Sequence, residues 1–68
     1  MLIYRFITGD DDAAFCHRVT KALSEGWQLH GSPTYAFDGH AKKMKAGQAV
    51  TRTAKDQPYD PDKKLLDY

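Results

Sequence analysis

The 68-residue chain has a single cysteine, Cys16. An intramolecular disulfide is therefore impossible, and a cysteine-rich zinc site is excluded. Charge of one sign is also lacking: ten Lys and Arg against nine Asp and Glu leave a formal net charge of +1. Such a balance gives no field that would gather nucleic-acid backbone or a membrane surface, so neither is an expected partner. No apolar run approaches the roughly 20 residues of a membrane span. The start, M-L-I-Y-R-F, lacks a basic segment followed by an apolar one, so no secretory leader is expected. A cytoplasmic location follows, where a free thiol is tolerated. Internal repeats and low-complexity tracts are absent as well.

Catalytic and metal motifs are equally scarce. Cys16 and His17 are adjacent on a helical segment and so point about 100° apart, which does not set an imidazole against a thiol. We read Cys16 as a core residue, because free cysteine is among the most buried residue types. His17, His30 and His40, with Asp38, show no metal-ligand spacing. No metal, cofactor or catalytic residue is assigned, and the chain is not read as an enzyme.

What is present is a strand with two apolar sides. Leu2 to Ile7 carries Leu2, Tyr4 and Phe6 on one face and Ile3 and Ile7 on the other, interrupted by Arg5. A half-exposed strand alternates apolar and polar residues; this one does not. Thr8-Gly9-Asp10-Asp11-Asp12 ends the strand and opens a helix, with Asp10 or Asp11 as N-cap and the other carboxylates at the positive end of the helix dipole. The helix is expected over 11–25. Phe15, Val19, Ala22 and Leu23 face inward at helical spacing, while His17, Arg18, Thr20, Lys21 and Ser24 face outward. Gly26 supplies the positive φ after the last turn. Trp27 enters the next strand and is expected to pack beneath the helix.

Two further strands follow. The second begins at Trp27 to Leu29, is broken by Gly31 and Pro33 as a bulge or edge, and resumes at Thr34 to Phe37. Asp38-Gly39 signals a turn. Met44 to Thr53 forms the third strand. The order β-α-β-β favours a right-handed crossover, with the third strand between the other two and antiparallel to both. The fold class is α+β: a single β-α-β-β unit over 1–53, its three-stranded, mainly antiparallel sheet carrying one helix on one face. Residues 54–68 form a polar, extended C-terminal arm punctuated by Pro58 and Pro61. Leu65, Leu66 and Tyr68 make an apolar patch in a short last helix that needs a surface to dock on.

A domain this small buries only about 60% of its unfolded surface, and one helix covers one sheet face. Association is the remaining route to stability. We assign Ile3, Arg5 and Ile7 to the open face, and with Leu65 and Leu66 to an interface between copies. Lys42, Lys43 and Lys45 lie near Tyr35 and Phe37 across the hairpin, with His30 further along. Aromatics beside cations suit a phosphorylated, base-containing ligand.

The stretches T-G-D-D-D-A-A-F-C-H-R-V, A-L-S-E-G-W-Q-L-H-G-S-P-T, F-D and Q-A-V resemble the short bacterial and phage domain-of-unknown-function family numbered 1737, over roughly residues 1–53, with a trailing Y-D-P. The resemblance implies a compact β-α-β-β unit and transfers no catalytic residue. The basic insert H-A-K-K-M-K departs from the family pattern. Occurrence in phage, as the resemblance implies, suits a small sponge for host signals. The expected function is thus a non-catalytic homo-oligomer that sequesters an anionic small molecule such as a signalling nucleotide. The alternative is a protein-interaction module acting through the open sheet face or the arm.

Overall fold

The computed structural model describes residues 1–68. Strand β1 (Leu2–Asp10) leads into helix α1 (Ala13–Ser24), followed by β2 (Gln28–Asp38), β3 (Lys43–Thr53) and a final 3₁₀ turn, Leu65–Asp67. The sheet order is β1-β3-β2, and both pairings are antiparallel. The central position of β3, the single helix and the α+β class agree with the sequence pattern.

The helix ends are set by local chemistry. Asp12, not Asp10 or Asp11, is the N-cap: its Oδ1 accepts from Phe15 N–H at 3.0 Å. Asp10 is drawn into the end of β1 instead, opposite Lys45. At the far end Gly26 takes φ +94°. Its N–H donates to the Leu23 carbonyl, and Trp27 N–H donates to the Ala22 carbonyl at 3.1 Å. This pair of bonds satisfies carbonyls that the last turn would leave bare. It also delivers Trp27 directly into the core.

The core consists of Ile3, Ile7, Ala22, Trp27 and Val50, bordered by Phe15 and Val19. Ile3 and Ile7 therefore lie under the helix, which corrects their assignment to an open interface. Arg5 shares that side and lies over the Trp27 ring, 5.2 Å from its centroid. The central strand decides the matter. Beneath the helix β3 offers Val50 opposite Arg5, whereas its other side offers Ala49, Thr51 and Thr53. Helix packing goes to the side where the middle strand carries an aliphatic side chain. Leu2, Tyr4 and Phe6 are left on the uncovered face, 71%, 54% and 48% exposed.

Cys16 is exposed, which corrects its reading as a core residue. The helix spends its narrow inward stripe on Phe15, Val19 and Ala22, and Leu23 is itself 41% exposed. In β2 the register shifts between His30 and Thr34, around Gly31 at φ +71°. His30 pairs with Ala49 and Thr34 with Gly47, so β2 carries two extra residues there. The arm folds back on the domain. Arg52, 5.1 Å from the Trp27 centroid, donates to the Leu65 and Tyr68 carbonyls at 3.4 and 3.0 Å. The Tyr68 hydroxyl donates to the Asp60 carbonyl at 2.9 Å and accepts from Asp60 N–H at 2.7 Å.

Candidate functional site

The hairpin residues named from the sequence divide between the two faces of the sheet. Side chains of a strand alternate, and register carries that alternation across the ladder. Tyr35 and Phe37 pair with Ala46 and Met44 and lie on the helix side. Lys43 and Lys45 pair with Asp38 and Ala36, and His30 with Ala49, on the uncovered side. The sheet thus separates the two aromatic rings from Lys43, Lys45 and His30. Lys42 lies in the connecting turn at φ +58°. The Asp38 carboxylate accepts from the His40 and Ala41 N–H groups at 3.0 and 3.2 Å and shapes that turn.

Two of the three lysines already have a carboxylate. Asp10 accepts from both Lys45 and Lys43, the latter at 3.2 Å. Hydrogen bonds from Lys45 and then Lys43 hold the Asp10 carboxyl below its ordinary 3.8. The same bond to Asp10 raises the Lys45 ammonium above 10.5. Tyr35 donates its hydroxyl to Asp11 at 2.5 Å, and this bond raises its pKa above 10.0. The pairs tie the start of α1 to the hairpin: Asp10 on one face, Asp11 on the other. Phe37 remains 63% exposed. No three His, Cys, Asp or Glu side chains converge in a group able to share a metal ion. No helix is long and apolar enough to cross a membrane.

Two concavities remain. One lies on the uncovered face: a depression of about 390 Å³ beside Phe6, lined by Thr34, Ala36 and Gly47. Its floor is low because residue 47 has no side chain. A Cβ there would meet Phe6 Cζ at 2.5 Å and Thr34 Oγ1 at 2.7 Å.

The other is a cleft of about 380 Å³ between the outer edge of β1 and α1. Arg5 lines it from the strand, Arg18, Lys21 and Ala22 from the helix, Glu25 from the helix C-cap, and Leu66 from the arm. Leu66 thereby closes one wall of a cleft within its own chain, and Leu65 keeps 37% of its surface. Arg18 donates to the Thr8 carbonyl. Neither Arg18 nor Lys21 stands out in the sequence, where both read as solvated helix residues. The available signal is their i, i+3 spacing, which sets both on one flank.

No curated protein and no solved structure matches the chain. The family model that does match, over residues 1–53, is that of Domain of unknown function (DUF1737). It covers β1, α1, β2 and β3 entirely and stops where the arm begins; the chain belongs to this family.

Proposed function

We propose that the chain is a non-catalytic binding protein that works as an assembly of identical copies in the cytoplasm, the uncovered sheet face of each copy packed on that of another. Leu2, Tyr4 and Phe6 carry this reading. They form a continuous apolar stripe, about half or more exposed, on the face the helix leaves bare. Only seven of 68 residues are buried in the isolated chain, a small core for a fold with no disulfide.

The occupant that fits the face is another copy of itself. Three strands spaced about 4.8 Å apart and about 30 Å long give roughly 400 Å² in projection. Side-chain relief raises this toward the ~800 Å² that each partner contributes to a standard interface. The same face holds both a raised aromatic stripe and the depression floored by Gly47, so a two-fold can seat each stripe against its mate's hollow. The bound molecule in this reading is a phosphorylated small molecule, a signalling nucleotide among the candidates, held and not converted.

Light scattering coupled to gel filtration, with native mass spectrometry, tests the assembly. The wild-type chain is expected to run as a multimer. Phe6→Glu and Tyr4→Glu, at positions outside the core cluster, are expected to give folded monomers by circular dichroism. A wild-type monomer at high concentration, or charged variants of unchanged mass, overturns the reading.

A further inference from the structure

We propose that the cleft between β1 and α1 is a binding site for a phosphate monoester on a small organic body. This deepens the reading of the chain as a binding protein and rests on it, but the cleft is built by one copy alone, on the helix side of β1, and meets the uncovered face only at the Phe6 and Thr8 edge.

The charge in the cleft is one-sided. Arg5, Arg18 and Lys21 face one carboxylate, Glu25. None of the three cations forms an ion pair; the pairs in the molecule join Asp10 to Lys43 and Lys45, and the Met1 amino group to Asp56. Each has donors to spare. Arg5 sits over Trp27, and its guanidinium N–H groups donate to no acceptor within the chain. Arg18 reaches Thr8 through one terminal nitrogen. Lys21, in the last turn of α1, has no hydrogen-bond acceptor for its ammonium.

The strand adds neutral donors. The Met1 carbonyl accepts from Ala54 N–H at 2.7 Å, and Asp11 N–H donates to the Met44 carbonyl at 3.2 Å. Odd-numbered residues of β1 therefore turn their peptide groups toward β3, and even-numbered ones turn theirs to the free edge. The Arg18 bond to the Thr8 carbonyl agrees with this phase. Phe6 and Thr8 carry their side chains on the opposite face, so they border the cleft along this edge, where their N–H groups lack a strand partner. Two outward N–H groups beside three cations match the several acceptor oxygens and double charge of a phosphate monoester. Ala22 and Leu66 offer apolar surface for its organic part. A volume of about 380 Å³ suits a small ligand.

Nuclear magnetic resonance of the full ¹⁵N-labelled chain tests the site, with phenyl phosphate as probe and benzyl alcohol as neutral control. Phenyl phosphate is expected to shift the Phe6 and Thr8 amides, with binding that weakens as salt rises. Lys21→Gln, on the exposed helix surface, is expected to weaken it about tenfold, the scale of one lost bond to a charged group. Arg18→Gln should do the same or more. Light scattering on the same samples keeps the two proposals apart, since Lys21→Gln leaves the uncovered face intact and its mass should not change. Shifts confined to other residues, equal binding of benzyl alcohol, or full affinity in both variants overturns the assignment whatever the assembly size.

Discussion

Phe6 lies across Gly47, and the two are cross-strand neighbours by diagonal: Phe6 pairs with Ala49, and Thr8 with Gly47. The ring occupies the volume that any larger residue at 47 would need. Gly47→Ala should cost about 1–3 kcal/mol, the range for overpacking. Urea unfolding of the single variants and of Gly47→Ala with Phe6→Ala measures it. The double variant should lose less than the sum of the two, because removing the ring clears one of the two clashes. Simple additivity would mean that Thr34 alone resists the methyl.

Asp12 gives a smaller, local effect. Its carboxylate satisfies the Phe15 N–H at the start of α1. Asp12→Ala should cost about 1 kcal/mol, while Asp12→Asn or Asp12→Ser should recover most of it. Thermal unfolding followed at 222 nm reads the series.

Val50 is fully enclosed between α1 and the sheet. Val50→Ala and Ile7→Ala each leave a hole in a core of five residues, and each is expected to cost on the order of 2–4 kcal/mol. Leu2→Ala, on the uncovered face, should cost the isolated chain well under 1 kcal/mol. If chemical denaturation of dissociated chains ranked Leu2 above Ile7, the helix would lie on the other side of the sheet.

Two ion-linked bonds give the stability curve its ends. Asp10 has a lowered pKa in the folded chain, so its contribution is present above its ordinary 3.8 and fades as pH falls through the lower folded value. Tyr35 has a raised pKa, so its bond to Asp11 contributes in full below 10.0 and is lost as pH rises through the higher folded value. Denaturation midpoints taken across pH should show Asp10→Asn flattening the acid side and, through the loss of its bond from Lys45, the far alkaline side, whereas Tyr35→Phe flattens only the alkaline side. Both groups are exposed, so added salt should shrink the acid effect.

The elements themselves were legible in the sequence. Gly26 after a helical stripe marks the end of α1, and the polar-apolar alternation after Asp38 marks β3. The choice of face on β1 was not legible there, because Ile3 and Ile7 compete with Leu2, Tyr4 and Phe6 on nearly equal terms. It becomes readable only once β3 is placed in the middle and Val50 is seen to share a side with the isoleucines. The hairpin group misled for a related reason: Lys43, Lys45, Tyr35 and Phe37 are close along the ladder, but odd positions of β2 and odd positions of β3 lie on opposite sides. Asp10 was read as a helix cap; its capture by two lysines depends on a pairing 35 residues away in sequence. The cleft cations needed the third dimension, since Arg5 comes from one element and Arg18 and Lys21 from another.

The irregularity in β2 has a consequence for how the chain tolerates change in length. Because its surplus is an even number of residues, Leu29 before it and Tyr35 after it look out on the same side of the ribbon. Deleting one amino acid from Gly31, Ser32 and Pro33 would turn the whole distal half of the hairpin inside out, exchanging its rings for its neighbours. Deleting two would restore the original outlook. In this stretch the shorter deletion is the graver lesion.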